Sequence, residues 1–204
     1  MNDTFYDKAA WKCYGYWAFW VGIAFFTIYP LCNWLTSQRE NVYHLYMQSE
    51  LSIPLVPQFI WIYLSLYVLF IMPPLFLNKQ ELTKLGKEII LGTFISGIIF
   101  LLFPSVLGFE RMVSNEAYRG IFETIFALDL PHNMAPSLHI VYSGAILLAI
   151  LQATQKVGIK IVALLWLLLI SLSTLFVHQH HLLDIFLGYS IVIVFNKILK
   201  IKGA

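Results

Sequence analysis

Six apolar segments, each close to the length of a membrane-spanning helix, constrain this sequence more than any other feature. A spanning helix needs about 20 mostly apolar residues, because the hydrocarbon core of a bilayer is about 30 Å thick. The segments are Tyr16–Leu35, Val56–Leu77, Ile89–Leu107, Pro136–Leu151, Ile159–Val177 and Leu182–Leu199. They predict an all-α, polytopic membrane protein with six transmembrane helices in one bundle, formed by a single domain over residues 1–204.

The composition agrees with a bilayer as the solvent. Hydrophobic residues make up 59% of the chain and charged residues 12%, whereas soluble domains carry about 25% charged residues. The net charge of +2, without any basic run, predicts no nucleic-acid partner. Cys13 and Cys32 flank the first segment, so we expect no disulfide between them and no metal site built on them. No secretory signal is evident, and we expect the first segment to be retained as a helix.

Lysine and arginine lie at opposite ends of the six segments. One set of ends holds Arg39, Arg111 and Arg119. The other set holds all ten lysines, which are Lys8, Lys12, Lys79, Lys84, Lys87, Lys156, Lys160, Lys197, Lys200 and Lys202. Because short cytoplasmic loops are enriched in these cations, the bias predicts that both termini are cytoplasmic. The small size of the chain favours a bacterial inner membrane.

Histidines gather at the opposite, outer ends of the last three segments. Five of the six, all but His44, lie there. His180 and Asp184 are four residues apart, which on a helix places both side chains on one face. The carboxylate would accept a hydrogen bond from one imidazole nitrogen and leave the other nitrogen as a nucleophile or base. An ionisable group at membrane depth costs about 3 kcal/mol, so we interpret this pair as a functional site.

A second histidine is predicted at the same depth. Pro136 is typical of a helix start, so we expect His139 in the first turn of the fourth helix. Backbone N–H groups at such a start, together with Ser137, suit an anion such as a phosphate. Two helix starts, two histidines and one carboxylate therefore converge on one membrane face.

Two motifs resemble signatures of the type 2 phosphatidic acid phosphatase superfamily. The second motif of that family reads PSGH, and residues 136–139 read PSLH. The third motif has S-R, five residues, His, three residues and Asp, and this chain has Ser173, Thr174, His180 and Asp184 at the same spacing. The resemblance implies a membrane enzyme that acts on a lipid phosphate without a metal or cofactor. It further implies that His180 attacks phosphorus, Asp184 orients it, and His139 protonates the leaving oxygen.

Three departures from the family pattern concern phosphate binding. Thr174 replaces the third-motif arginine, Leu138 replaces the second-motif glycine, and the first motif is absent. Residues 103–104 read Phe-Pro instead, which is similar to the branch that includes inositol phosphorylceramide synthase. We expect Arg111 and Arg119, from the long loop at residues 108–135, to replace the missing cation. Ser137 and Thr174 complete the predicted phosphate-binding set, and interfacial anchoring is the alternative for both arginines.

Several alternatives stay open. We expect a lipid phosphatase that hydrolyses a lipid phosphate or pyrophosphate on the non-cytoplasmic face. Head-group transfer is the alternative, because the two reactions share every step until the acceptor arrives. A lipid carrier or scaffold with a degenerate site is compatible with the lost arginine, and a metal-dependent hydrolase is less favoured because no HExxH motif is present. His181 either supports His180 or is a polar residue at a solvated turn. His132 and Asn133 are predicted to cap the fourth helix. The lipid substrate and the oligomeric state are not readable.

Overall fold

Within residues 8–111, 113 and 115–200, which the computed structural model describes, the regular secondary structure is helical. The longer helices are α1 (Lys8–Ser37), α5 (Lys79–Leu102), α6 (Glu116–Leu128), α7 (Leu138–Ala153), α8 (Val157–Phe176) and α9 (Leu182–Ile198). Three short α-helices, α2 (Ile60–Leu64), α3 (Leu66–Leu69) and α4 (Pro73–Phe76), and two 3₁₀ turns, Gln48–Ser52 and Pro57–Phe59, complete the order. The predicted all-α class is confirmed.

Among the described residues, three helices are long and apolar enough to cross a membrane, judged by length and composition. They are α1, α5 and α8. Shorter apolar stretches cover Pro57–Leu69 and Leu138–Ala153. The structure therefore supports a membrane protein with apolar helices, and the number of crossings stays a prediction.

The predicted second span is wrong as a continuous helix. Pro57 opens a 3₁₀ turn, and the helical path ends at α3 before restarting at Pro73. The Pro73–Pro74 pair lacks two backbone N–H groups, so α4 cannot continue the hydrogen bonds of the preceding helix. Ser65, between α2 and α3, accepts a hydrogen bond from Trp166 Nε1 at 2.8 Å, which ties this broken segment to α8.

The helix α7 lies at the centre of the packing, in contact with α5, α8 and α9, while α1 packs mainly on α5. Its buried residues point in every direction around the axis, as expected for a helix that is apolar all round. They include Ile140, Val141, Ala145, Ile146 and Leu147. This burial holds the start of α7, with its histidine, against the start of α9.

Close packing of α9 on α7 depends on Gly188. A Cβ at this position would lie 2.9 Å from Ile140 Cβ and 3.0 Å from the Ser137 carbonyl oxygen. We expect Gly188→Ala to lower the melting temperature, since overpacking costs about 1–3 kcal/mol. The matched control is Gly158→Ala on α8, where a Cβ meets no heavy atom within 4 Å. Equal melting temperatures for the two variants would contradict this packing.

The long loop before α7 is held by hydrogen bonds to its neighbours. Ser105 Oγ accepts from the backbone N–H groups of Met134, at 3.2 Å, and Ala135, at 3.3 Å. The same loop contains α6, which begins after its N-cap Asn115. The prediction that Asn133 caps the fourth helix is wrong, because Ser137 is the N-cap of α7 and its Oγ accepts from Ile140 N.

Candidate active site

The proposed nucleophile, His180, lies in the turn between α8 and α9. The turn begins at the end of α8. There the Thr174 carbonyl oxygen accepts hydrogen bonds from the backbone N–H groups of Gln179, at 3.0 Å, and His180, at 3.1 Å. His178 adopts a positive φ of 54°, which reverses the chain direction. His180 is buried and lines an internal cavity.

One nitrogen of His180 is committed to protein acceptors. Its Nδ1 lies 3.3 Å from Asp184 Oδ2 and 3.2 Å from the Met134 carbonyl oxygen. Both partners are acceptors, so Nδ1 carries the hydrogen and Nε2 keeps its lone pair. The predicted contact between His180 and Asp184 is present, and it selects the tautomer that a nucleophilic imidazole needs.

The Asp184 side chain is fully buried in the first turn of α9. Oδ2 accepts a second hydrogen bond, 2.7 Å long, from the backbone N–H of His181. The Ser137 N–H donates to the Asp184 carbonyl oxygen at 3.0 Å, which joins the starts of α7 and α9. The helix dipole favours an anion at this position. The carboxylate is therefore held rigidly enough to orient the imidazole beside it.

His139 lies in the first turn of α7, as predicted, and also lines the cavity. Its ring stacks on Tyr63, with centroids 3.9 Å apart and planes at 20°. The ring centroids of His139 and His180 are 6.4 Å apart, a separation that one bound phosphate can bridge. His139 Nε2 is buried and has no hydrogen-bond partner in the described part of the chain. It is therefore a proton donor or acceptor without a protein partner, facing the second histidine.

The cavity has a volume of about 680 Å³ and is polar at one end. The polar end is lined by Tyr29, Tyr63, Asp129, Asn133, His139 and His180. The walls beyond it are apolar and aromatic, supplied by α1, by the broken segment α2–α4 and by the inner faces of α5 and α7. Ligand sites are mostly apolar clefts with a few convergent polar groups, and this cavity has that form.

Asp129 is a site residue that the sequence reasoning missed. It follows α6 directly, lines the cavity, and accepts a short hydrogen bond from the Tyr29 hydroxyl of α1. Burial raises the pKa of the Asp129 carboxyl, and the contact with Tyr29 and the charges of His180 and Arg111 act against that rise. Its loop position hid it, since no regular spacing links Asp129 to the histidines.

The raised pKa of Asp129 has a consequence for stability. The folded protein disfavours the charged carboxylate, so its destabilising effect is absent at low pH and grows as pH rises through the folded pKa. We expect the melting temperature of Asp129→Asn to rise relative to that of wild type as the pH increases above about 4, the ordinary pKa of an aspartate. The control is Glu123→Gln, an exposed carboxylate on α6. A difference between Asp129→Asn and wild type that does not change with pH would refute the argument.

Asn133 offers a donor at the same end of the cavity. Its φ is 60°, a left-handed value that asparagine tolerates, and its side chain is buried. Oδ1 accepts from the Thr36 hydroxyl at 2.8 Å, which fixes the orientation of the amide. Nδ2 is buried without a partner among the described residues. Because Asn133 lines the cavity, this N–H₂ group is available to an acceptor bound there.

Arg111 contacts the backbone of Asp129 at the polar end of the cavity. Its Nη1 donates to the carbonyl oxygens of Asp129 and of Phe126, the latter at 3.3 Å, and its guanidinium lies 5.0 Å from the centre of the Phe126 ring. Nε and Nη2 are buried without partners in the described part of the chain. Burial lowers the pKa of Arg111, and the Asp129 charge opposes this. Arg111 is thus near the polar end of the cavity but does not line it.

Three residues predicted to bind phosphate have other contacts. Ser137 caps α7, and the Thr174 hydroxyl donates to the Ser171 carbonyl oxygen of its own helix at 2.8 Å. Arg119 pairs with Glu116 at 3.1 Å on the exposed face of α6. None of the three lines the cavity. Helix capping and local pairing engage these groups, and their roles in binding phosphate stay predictions.

His181 belongs to a support layer beneath the turn. Its Nε2 accepts from the Gly108 N–H at 3.0 Å, and its Nδ1 lies 3.4 Å from Glu50 Oε2. Its ring stacks between Tyr46 and Phe109, with centroids 4.5 Å away on each side. Burial lowers the pKa of His181, and the carboxylates of Asp184 and Glu50 act against this. Its contacts are those of a residue that supports His180.

Glu50 is a second residue that the sequence reasoning missed. Glu50 is buried, although the turn Gln48–Ser52 in which it lies is polar in sequence. Oε2 accepts from the Leu182 N–H at 2.8 Å, and Oε1 accepts from the Met47 N–H at 2.9 Å. Glu50 therefore caps α9 from the loop that follows α1.

Cys13 and Cys32 are both free. Among the described residues, no three His, Cys, Asp or Glu side chains are grouped closely enough to hold a metal ion. No family model, curated protein or solved structure matches this chain, so its family stays a prediction from the motifs.

Proposed function

We propose that this chain is an integral-membrane enzyme that removes or transfers the phosphoryl group of a lipid phosphate through a phosphohistidine on His180. One observation carries the proposal. Two histidines line the polar end of an apolar cavity with ring centroids 6.4 Å apart, and the one whose Nδ1 contacts a buried carboxylate has Nε2 left as the nucleophile. This is the arrangement that nucleophilic catalysis requires.

The proposed reaction has two steps. The Nε2 lone pair of His180 attacks phosphorus, the bond from phosphorus to the lipid oxygen breaks, and that oxygen takes a proton from His139. Water or an alcohol then attacks phosphorus, the N–P bond breaks, and His139 takes the proton of the attacking oxygen. Asp184 stabilises the positive charge that develops on His180 in the first step.

The placement in the membrane is part of the proposal. All six predicted segments cross the bilayer, with both termini in the cytoplasm of a bacterial cell and the site at the outer face. The distribution of lysines supports this orientation. The broken segment α2–α4 is compatible with a crossing, because irregular backbone is tolerated at membrane depth where it lines a protein cavity.

Arg111 is the proposed cation for the phosphate. Its Nη1 is anchored on two carbonyl oxygens, while Nε and Nη2 have no partner among the residues that the structure describes. Phosphoryl-transfer sites normally rely on Arg or Lys to stabilise the charge of the phosphate. A small movement of this side chain, or of the substrate towards it, would complete the site. Asn133 Nδ2 supplies a neutral donor beside it.

Head-group transfer is the second candidate. The observation that favours it is Thr174, whose hydroxyl is occupied within α8, so the position of the family's arginine offers no phosphate contact. The loss resembles the transferase branch and leaves a site with fewer cations than a hydrolase of the family would have. An alcohol in place of water changes only the second step.

A panel of lipids in detergent tests the proposal. The panel contains phosphatidic acid, a polyprenyl pyrophosphate and phospholipid head-group donors, each with and without a diacylglycerol or sphingoid acceptor and with EDTA. We expect EDTA-resistant phosphate release or head-group transfer. Activity that EDTA abolishes would favour a metal-dependent hydrolase. Lipid binding without any product would favour a non-catalytic carrier.

A further inference from the structure

We infer that the apolar part of the cavity binds one hydrocarbon chain of the substrate and that Gly22 sets how long a chain it accepts. The inference rests on the proposed function for the identity of the ligand as a lipid phosphate. It rests on the structure for the shape of the site. A lipid chain with a phosphate at its end is the expected ligand. The channel is apolar along its length, and among the described residues it has hydrogen-bonding groups without partners at one end.

One face of α1 forms a wall of the channel. The lining residues of this helix recur at helical spacing and are Tyr14, Trp17, Ala18, Val21, Gly22, Phe25, Phe26, Tyr29 and Pro30. Tyr29 marks the polar end, through its hydrogen bond to Asp129. Tyr14 marks the far end, where its hydroxyl donates to the Phe70 carbonyl oxygen. A ligand that enters at the histidines therefore runs along α1 towards its N-terminal half.

The length of the channel matches a common lipid chain. The helical rise places Tyr14 about 22 Å from Tyr29 along α1. An extended methylene chain advances about 1.25 Å per carbon, given C–C bonds near 1.5 Å and bond angles near 111°. The channel therefore accommodates about 18 carbons beyond the polar end.

Gly22 lies between the two ends, about 10 Å from Tyr29 along the helix. A Cβ added there meets no heavy atom within 4 Å, although the residue lines the cavity. Some other helix glycines have close neighbours, as Gly86 does, where a Cβ would lie 2.5 Å from the Trp17 indole. Gly15 and Gly158 are as open as Gly22, but neither lines the cavity. The missing side chain at Gly22 therefore leaves open space in the channel, and a large side chain would block it after about 8 carbons.

The test compares Gly22→Phe with Gly15→Phe. Gly15 lies on the same helix, is exposed, does not line the cavity, and also has no heavy atom within 4 Å of an added Cβ. Gly22→Leu is the second variant if the phenylalanine variant does not fold. The ligands are n-alkyl phosphonates and n-alkyl phosphates of 8 to 18 carbons. Phosphonates report binding by their effect on melting temperature, and phosphates report turnover by phosphate release.

We expect affinity for wild type to rise with chain length, by about fourfold for each buried methylene. In Gly22→Phe the rise should stop near about 8–10 carbons, so its preference for a 16-carbon over an 8-carbon chain falls by at least about tenfold. Gly15→Phe should follow wild type. The same chain-length profile in Gly22→Phe and wild type, or no phosphonate binding at all, would overturn the inference. A truncated binding profile without phosphate release from wild type would support it while rejecting the proposed function.

Discussion

Replacing His180 with glutamine should reduce phosphate release or head-group transfer by a factor on the order of 10⁴ or more, because no other group replaces the attacking nitrogen. Glutamine keeps a polar side chain in the turn but has no nucleophilic nitrogen. Its amide N–H₂ can still donate to Asp184 or to the Met134 carbonyl oxygen. The protein should therefore stay folded while the covalent intermediate is lost. The measurement is turnover, together with trapping of an acid-labile phosphoryl group on wild type and variant.

The matched control lies two residues away in the same turn. His178 Nε2 contacts the Ile53 carbonyl oxygen at 2.9 Å, and its ring stacks on Phe109. His178→Asn suits the positive φ at that position and should keep most of the activity. Full activity in His180→Gln, or trapped phosphate on a residue other than His180, would contradict the assignment.

Asp184→Asn should lower turnover by about 10²–10⁴ while leaving the fold intact. The amide oxygen of asparagine can accept from the His181 N–H, as Oδ2 of Asp184 does. It supplies no negative charge to balance the developing imidazolium, and its N–H₂ group, if turned towards His180, would select the wrong tautomer. The expected signature is a fall in the maximal rate with little change in apparent substrate affinity.

A carboxylate at the same helix start provides the control for Asp184→Asn. Glu50 accepts from the Leu182 N–H at the start of α9 but contacts His181 rather than His180. Glu50→Gln should therefore lower the melting temperature and leave turnover within about tenfold of wild type, since helix caps contribute about 0.5–2 kcal/mol. If both variants lost turnover equally, the effect of Asp184 would be that of a cap and the orienting role would be wrong.

The places of His180, Asp184 and His139 in the candidate site were predictable because each follows from the sequence immediately around it. His180 and Asp184 lie one helical turn apart, and a proline placed His139 at a helix start, so helical periodicity alone brings each to the correct end of its helix. His139 comes close to His180 and Asp184 only because α7 packs against α9. Two apolar helices at similar depth pack in this way as parts of a bundle. The structure shows this packing.

The site residues that helical periodicity does not predict lie in loops and short turns. Asp129 and Asn133 are placed by contacts with Tyr29 and Thr36 of α1, and Glu50 is placed by its contact with Leu182 of α9. No spacing in the sequence encodes those contacts.

The phosphate-binding roles of Ser137, Thr174 and Arg119 stay predictions, because each of these side chains has a local partner in the structure. A residue type that suits an anion is also suited to capping a helix or forming a local pair. At these positions the local partners are present, and they occupy the side chains. The broken second segment reflects the same limit, because hydropathy measures the apolar character of Val56–Leu77 but not whether its prolines interrupt the helix.

The charge at the polar end of the cavity bears on which phosphate bond the site suits. In the described part of the chain, one guanidinium, that of Arg111, accompanies the carboxylates of Asp129 and Asp184. Near neutral pH a phosphomonoester carries about 1.5–2 negative charges, whereas a phosphodiester has a single ionised oxygen. A site with so few cations stabilises the singly charged ligand at lower electrostatic cost. The head group of a phospholipid is joined to the lipid through a phosphodiester. Within the proposed function, the shortage of cations therefore favours the second candidate, head-group transfer, over removal of a terminal phosphate.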